Sequence, residues 1–419
     1  MLVCLLSQLE CSNEVLKKKK ANFSCINHSW ESEGAAFAVY VNGEKVVDLW
    51  GGYADSSANR KWKSDTMSLF FSTTKSICGI CFAMLVDRGL AKYEDLVTKY
   101  WPEFGQAGKE KITIEQLLAH QGGLAYVDGT IDEGCVKDWR KMSLLFEKQK
   151  PNWTPGEQVG YHMMTFGWLV DQLIRRIDPE KRSLSVFFQQ EIAEPHGLDI
   201  TIGSPLDQEH RVARLSHSSK FALAKEIMEY PTILKFIWNL FTTRRSPNGL
   251  LRKVLQNIVW MGSDFLVFNN PDYRSLNIPS ANGMGTARSL AKLHSLLAQG
   301  KLVSQKTLEK LLVPVVVDHH DVVLLMIETK GKGFIYTKNW LIGHPGMGGQ
   351  NAKADITNGV AFAYICNSMK AGVSDYTATF TRLQKCLYQC LENNSLLKDS
   401  LVSTQNMLSK GNTFVCDQY

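Results

Sequence analysis

Ser72 and Lys75 lie three positions apart at the start of a predicted helix that runs to Gly89. On a helix this spacing places both side chains on one face, within reach of each other. A serine hydroxyl is a weak nucleophile and needs a neighbour that accepts its proton. A lysine can do this only when burial or nearby groups lower its pKa. The pair therefore has the composition of an activated serine nucleophile.

The spacing alone does not identify a nucleophile, because Ser-x-x-Lys recurs at Ser289–Lys292 and at Ser395–Lys398. Tyr161 is a second candidate, since it follows a glycine directly before a predicted helix and can point its hydroxyl into a cleft; the alternative is a core aromatic residue. His120 is a possible catalytic base, but nothing around it in the sequence supports that role, and a structural role is favoured.

Two clusters resemble metal or redox motifs without completing one. Cys78 and Cys81 lack a partnering Cys or His pair, which favours small core residues over ligands. The run Asp318-His319-His320-Asp321 has no second cluster, which favours a surface turn. The sequence therefore predicts no metal and no cofactor.

The composition is that of a globular chain of 419 residues, with 44% hydrophobic and 21% charged residues. The net charge of +6 is scattered except at Lys17–Lys20, so nucleic acid is not implied. No apolar run approaches the ~20 residues of a spanning helix, and a soluble intracellular location is expected. Secretion stays open because of four Asn-x-Ser/Thr sequons, at Asn22, Asn27, Asn152 and Asn393.

The order of elements predicts an α+β fold. Two β-rich runs flank Asn42-Gly43, which is typical of a hairpin with a type I′ turn. The serine helix and a long helical region follow, and strand patterns return beyond Pro314 in four runs before a final helix over about 374–392. The predicted strands are 322–326, 333–336, 340–344 and 360–366. We expect the first and last segments to share one antiparallel sheet flanked by helices, with the large helical subdomain inserted between them.

The predicted organisation has three parts: an N-terminal extension over 1–32, one domain over 33–392, and a C-terminal tail over 393–419. Within the domain, a sheet lobe comprises about 33–71 and 313–392, and a helical lobe comprises about 72–312. The stretch 227–268 is rich in apolar and aromatic residues. It could line an acyl pocket or touch a membrane surface, but core or lid is favoured.

Taken together, a Ser-x-x-Lys that opens a buried helix, Tyr161 in the helical region and His344-Pro345-Gly346 on a late strand resemble the serine β-lactamase and penicillin-binding-protein superfamily. The chain looks most like the class C β-lactamase-like esterases and the animal β-lactamase domain-containing proteins. The resemblance covers about 33–392 and implies a β-lactamase/transpeptidase-like fold. It also implies a serine hydrolase that works through a covalent acyl-enzyme.

The resemblance implies a role for each matching residue. Ser72 would be the acylated nucleophile, Lys75 its proton acceptor, and Tyr161 a second member of the base system. His344 and Gly346 fall in the position of the family's Lys-Thr-Gly motif. The backbone N–H groups of Ser72 and Met347 would form the oxyanion hole.

Two departures from the family pattern bear on the substrate. Met163 stands where β-lactamases usually have asparagine, and Pro345 stands where the third motif usually has a hydroxyl residue. An ester or small amide with an apolar acyl group therefore fits better than a β-lactam, and Met163 and Met164 could line its pocket. A peptidase that uses the same residues and a catalytically weak scaffold are the alternatives; the oligomeric state stays open.

Overall fold

The computed structural model describes residues 31, 33–246, 249–262, 264–372 and 376–393. Its strands are β1 Gly34–Val41, β2 Glu44–Asp55, β3 Arg60–Lys61, β4 Ser68–Leu69, β5 Ile200–Ile202, β6 Ser216–His217, β7 Gly283–Gly285, β8 Val316–His320, β9 Ile327–Gly331, β10 Phe334–Tyr336, β11 Ile342–Pro345, β12 Asn351–Asp355, β13 Val360–Cys366 and β14 Ser368–Met369. Within these residues, an antiparallel nine-stranded sheet has the order β3-β2-β1-β13-β12-β11-β10-β9-β8.

The helices lie mainly between the two groups of strands. They are α1 Thr74–Asp87, α2 Ile114–Leu118, α3 Glu133–Lys137, α4 Trp139–Lys148, α5 Thr165–Ile177, α6 Leu184–Phe188, α7 Lys220–Glu229, α8 Thr232–Arg245, α9 Leu250–Gln256, α10 Pro271–Ser275, α11 Ala287–Ala298, α12 Gln305–Leu311 and α13 Ala378–Asn393. The predicted α+β arrangement is confirmed.

The first and last segments share one sheet, as predicted. β1 pairs antiparallel with β13, in a register that joins Ala35 to Cys366 and Val41 to Val360. The β1–β2 turn at Asn42-Gly43 has φ angles of 49° and 84°, which agrees with the predicted type I′ turn. Chain segments more than 300 residues apart are therefore held side by side.

Both faces of this sheet are covered. Along β1, Ala36 and Ala38 point into the core that contains α1 and α11. The alternate residues Phe37 and Val39 contact the opposite cluster, which includes α13. This alternation follows from the two-residue repeat of a strand, and it places the sheet between α13 on one side and α1 and α11 on the other.

Several strand predictions beyond residue 313 need correction. Residues 322–326 form a turn rather than a strand, because the Asp321 carboxylate accepts hydrogen bonds from the backbone N–H groups of Val323 and Leu324. The predicted strand 340–344 begins only at Ile342, since Trp340 has a φ of 60°. β10 and β13 lie where they were predicted, whereas β8, β9 and β12 were missed.

The run Asp318–Asp321 is not a surface turn. Residues 318–320 belong to β8, an edge strand of the large sheet, and Asp321 is fully buried. The described residues contain no group of three or more His, Cys, Asp or Glu side chains placed to hold a metal ion. Cys78 and Cys81 are unpaired and buried in the apolar core, as expected.

The division into two lobes stays a prediction. α11 falls within the predicted helical lobe but packs against β1, β12 and β13 of the sheet. The predicted extension and tail lie outside the described residues, apart from Glu31 and Asn393. Glu31 forms an ion pair with the buried Lys370 at 2.7 Å. No helix in the described ranges combines the length and apolar character that crossing a membrane requires.

Candidate active site

Ser72 lies in a tight turn between β4 and α1. Phe71, the residue before it, has a φ of 48°, which is a strained conformation for a bulky residue. The turn is tied down by Thr74, whose hydroxyl donates to the Phe71 carbonyl at 2.6 Å and accepts from the N–H of Gly283 at 3.0 Å. These contacts leave Ser72 half-buried at the start of the helix.

Lys75 lies next to the serine hydroxyl. Its Nζ is 3.3 Å from Ser72 Oγ and 3.0 Å from the carbonyl oxygen of Ser280, and the whole side chain is buried. Burial lowers the pKa of Lys75 to about 7, and the positive charge of Lys330 acts in the same direction. A substantial fraction of this amine is therefore neutral near pH 7 and can accept a proton.

Tyr161 covers the same amine. Lys75 Nζ lies 4.8 Å from the centre of the tyrosine ring. Burial raises the pKa of Tyr161, and a hydrogen bond with the Ser72 side chain opposes that effect. The phenol therefore stays protonated at neutral pH, beside both the hydroxyl and the amine.

Two buried histidines, His120 and His162, lie next to Tyr161. The ring of His120 lies 5.1 Å from that of Tyr161, and its Nδ1 accepts a hydrogen bond from the backbone N–H of His162 at 3.0 Å. Burial lowers the pKa of His120 well below its usual value and that of His162 to about 4. Both rings are neutral at pH 7, and His120 has the structural role that the sequence favoured.

Strand β11 brings the third motif to the serine turn. A Cβ atom at Gly346 would lie 2.3 Å from the Phe70 carbonyl oxygen, so only glycine allows the strand to come this close. Met347, half-buried, follows directly. The ring of His344 lies 5.9 Å from that of Tyr161, and burial followed by the Lys75 charge keeps its pKa well below the usual value.

The structure adds Lys330 to this group of side chains. The sequence analysis missed this residue. Its Nζ lies 5.2 Å from the Tyr161 ring centre, 2.5 Å from an Asp321 oxygen and 2.7 Å from a Glu328 oxygen. Burial opposes the charge, but the two carboxylates raise the pKa of Lys330, so it stays protonated. Asp321 also accepts a hydrogen bond from the backbone N–H of Tyr161. Nothing in the local pattern of β9 signals this arrangement, which depends on contacts across the fold.

Ser280 was also missed by the sequence analysis. Its hydroxyl donates to the Met164 carbonyl at 2.7 Å and accepts from the N–H of Gly167 at 2.6 Å, while its carbonyl accepts from Lys75. The residue thus joins the lysine to the first turn of α5. A backbone acceptor has no signature in the sequence.

The remaining predicted residue, Met163, is half-buried between two apolar clusters, one of which includes Tyr161. The other two Ser-x-x-Lys matches form no such site. Ser289 Oγ accepts from the N–H of Asp199, and Lys292 donates to the carbonyl of His196; Ser395–Lys398 lies outside the described residues.

The model of the β-lactamase family matches residues 23–385. The chain belongs to the β-lactamase family. It is 29% identical over 369 residues to the esterase/β-lactamase LipL of Mycobacterium tuberculosis, which covers 83% of this chain and 81% of LipL. It is 25% identical over 230 residues to a β-lactamase of Escherichia coli; this match covers 53% of this chain and 59% of that β-lactamase.

Solved structures extend this likeness to the whole fold. A family VIII carboxylesterase superposes on this β-lactamase family member with a TM-score of 0.75 and 28% identity, over 92% of this chain and 96% of the other. A penicillin-binding protein homologue from Caulobacter crescentus superposes with a TM-score of 0.71 and 28% identity, over 93% of this chain and 97% of the other. The β-lactamase/transpeptidase-like fold is confirmed, and this family member is a serine hydrolase with esterase relatives.

Proposed function

We propose that this protein hydrolyses an ester or small amide with an apolar acyl group through a covalent acyl-enzyme on Ser72. The observation that carries the proposal is the fully buried Lys75 amine, 3.3 Å from the Ser72 hydroxyl and with a pKa lowered to about 7. A lysine of ordinary pKa would hold its proton at neutral pH. Burial supplies the base that a serine nucleophile needs.

In the first step, Ser72 Oγ attacks the substrate carbonyl carbon while its proton moves to Lys75. The new C–O bond gives a tetrahedral oxyanion, for which we assign the backbone N–H groups of Ser72 and Met347 as donors. The close approach of Gly346 to Phe70 supports this assignment, because it holds the β11 end against the serine turn. Losing one such donor typically costs about 10²- to 10³-fold in rate.

In the second step, the bond from the carbonyl carbon to the leaving group breaks. Tyr161 lies beside Lys75 and Ser72, and we assign it to pass the proton to the departing alcohol or amine. Water then attacks the acyl-enzyme carbonyl carbon while the Lys75–Tyr161 pair takes up its proton. The bond from this carbon to Ser72 Oγ breaks, and the same pair returns the proton to Oγ, which releases the acid and restores the Ser72 hydroxyl. His344 stays neutral beside Tyr161 and offers no positive charge to a substrate carboxylate.

The departures at Met163 and Pro345 support an apolar acyl group and the esterase-like class C branch. Pro345 has neither a hydroxyl nor an N–H with which to bind a β-lactam carboxylate. Met163 is half-buried against two apolar clusters, one of which includes Tyr161. We therefore expect slow turnover of β-lactams compared with esters.

The test is hydrolysis of p-nitrophenyl esters of graded acyl length by the wild type and by Ser72→Ala. We expect Ser72→Ala to lose turnover by at least about 10³-fold, since a nucleophile is removed, while circular dichroism shows an unchanged fold. Ser289→Ala is the matched control, because Ser289 belongs to a second Ser-x-x-Lys sequence without a site, and it should keep wild-type turnover. Retained activity in folded Ser72→Ala would refute the mechanism. Cleavage of peptides in preference to esters or small amides would make the protein a peptidase.

A further inference from the structure

The helices α7 and α8 expose an unusual number of large apolar side chains. The stretch 227–268 is partly core, since Ile233, Leu251 and Val254 are buried. Other side chains of these helices are largely exposed to solvent: Phe221 by 69%, Met228 by 74%, Leu234 by 52%, Trp238 by 65% and Phe241 by 45%. Exposed apolar side chains in such number on neighbouring helices favour an interaction surface.

Four of the exposed side chains of α8 lie on one face of the helix. Leu234, Trp238, Phe241 and Arg245 follow the spacing of four, three and four residues that aligns side chains along a helix. The rings of Trp238 and Phe241 are stacked with their centres 6.1 Å apart, and the Arg245 guanidinium lies 3.8 Å from the centre of Phe241. The face is thus an aromatic strip that ends in a cation.

The charge on these helices is positive where it is exposed. Lys220 and Arg245 are exposed cations. Of the acidic side chains described on α7 and α8, Glu226 is buried and accepts hydrogen bonds from the backbone at Ala371 and Gly372, and Glu229 is paired with Arg382. The exposed surface therefore combines apolar rings with exposed positive charge.

We propose that α7 and α8 form a docking face for the surface of an anionic lipid bilayer. Helices that lie in the plane of a membrane interface combine Trp, Phe and Leu on one side with Lys and Arg beside them. A second copy of the chain fits less well, because a two-fold interface would bring identical cationic patches together. The charge complementarity is with lipid phosphates.

The position of α8 relates this docking face to the catalytic residues. Away from the exposed strip, Thr232, Lys235 and Asn239 line a cleft of about 970 Å³ that α8 forms with β8, β9 and β10. Its opposite wall includes Glu328, which forms an ion pair with Lys330 beside Tyr161. α8 thus lies between the proposed lipid surface and a cleft whose wall includes this ion-pair partner of Lys330, although docking itself does not depend on the proposed hydrolysis.

The experiment is co-sedimentation of the full chain with vesicles of phosphatidylcholine alone and of phosphatidylcholine mixed with an equal amount of phosphatidylglycerol. We expect the wild type to bind the mixed vesicles and Phe221→Ser/Trp238→Ser to bind at least tenfold more weakly. Lys220→Gln/Arg245→Gln should lose about fivefold per charge on mixed vesicles, from ~1 kcal/mol per cation near an anionic surface. Leu144→Ser, at a 51% exposed leucine of α4, is the matched control and should bind normally.

Hydrolysis of a water-soluble p-nitrophenyl ester checks that each variant is folded, since none of these residues lies in the site; if hydrolysis is absent in the wild type, circular dichroism serves instead. Wild-type protein that stays in the supernatant with mixed vesicles overturns the proposal. So does binding that neither double substitution weakens. Light scattering could also show a wild-type dimer that the Phe221→Ser/Trp238→Ser substitutions dissociate. That result would assign the docking face to a second copy of the chain and would also overturn the proposal.

Discussion

Lys75 is a buried amine whose surroundings disfavour its positive charge, and this makes the free energy of unfolding depend on pH. Because its pKa falls from 10.5 to about 7 on folding, the unfolded chain binds more protons than the folded one between these values. The free energy of unfolding therefore rises with pH across this window. Below about pH 7, the cost of burying the Lys75 charge is present in full. At pH 7 it is on the order of 4 kcal/mol.

We therefore expect Lys75→Met to lose ester hydrolysis yet raise the free energy of unfolding at pH 7. The gain should be about 2 to 4 kcal/mol, since the Ser280 carbonyl loses one donor. Urea unfolding of wild type and variant at pH 7 and pH 10 measures it, and the difference should shrink at the higher pH. Lys292→Met, at the half-buried lysine of the second Ser-x-x-Lys sequence, is the control. A less stable Lys75→Met at both pH values would contradict the lowered pKa.

Lys330 is the second residue whose charge matters to the site. The groups around Lys75 are Cys78, Tyr161, His344 and Lys330, and in this set Lys330 is the one that stays cationic. Its charge helps to lower the pKa of Lys75, and through Asp321 it fixes the Tyr161 backbone. We regard it as a positioning residue.

The pH dependence of hydrolysis should reveal this role. In the wild type, kcat/KM should rise with pH through about 7, as Lys75 loses its proton. Lys330→Met should move this rise upward by on the order of one pH unit, the effect of a unit charge about 10 Å away at an effective dielectric constant of about 20. Lys330→Arg keeps the charge and should restore the wild-type midpoint. An unchanged midpoint in Lys330→Met, with lower stability only, would reduce Lys330 to a structural role.

At the scale of elements, the site depends on how closely β11 approaches the serine turn. Gly346→Ala would place a Cβ atom 2.3 Å from the Phe70 carbonyl oxygen, so the strand end must move away. We expect kcat to fall by about 10²- to 10³-fold, the effect of losing one oxyanion donor, with KM changed less. Gly134→Ala, on α3 with its nearest contact at 3.3 Å, should keep full activity. Unimpaired kcat in Gly346→Ala would exclude the Met347 N–H as a donor.

The elements also show what the sequence could predict and what it could not. The hairpin at Asn42-Gly43 and the serine helix α1 were predictable because turn chemistry and apolar runs are local signals. β12 was missed, since Asn351–Asp355 is fully buried yet contains Asn, Lys and Asp and has no alternating pattern. Ser72, Lys75 and Tyr161 could be named from motifs, whereas Lys330 and Ser280 act through contacts between segments far apart in the chain.

At the scale of the whole molecule, Asn367 joins segments from both ends of the chain. This fully buried side chain accepts from the Gly34 N–H at 2.9 Å and donates to the carbonyls of Tyr53, Ala54 and Arg214. It lies just beyond β13, so its amide ties the N-terminal hairpin and the β5–β6 region to the C-terminal half of the sheet. A single side chain thus helps to close the sheet on which the serine turn and β11 are both built.

Asn367→Ala should therefore destabilise the whole fold rather than one loop. Leaving the Gly34 N–H and several carbonyls unsatisfied costs about 1 to 3 kcal/mol for each buried group without a partner, so we expect a loss of about 3 to 5 kcal/mol in urea unfolding. Far-ultraviolet circular dichroism and ester hydrolysis should be lost in one transition, because the sheet positions the site. Asn358→Ala, which removes a side-chain hydrogen bond to Asp355 within a turn, should cost about 1 kcal/mol or less. A similar loss in both variants, or activity that disappears well before the sheet unfolds, would show that Asn367 does not link the two ends of the chain.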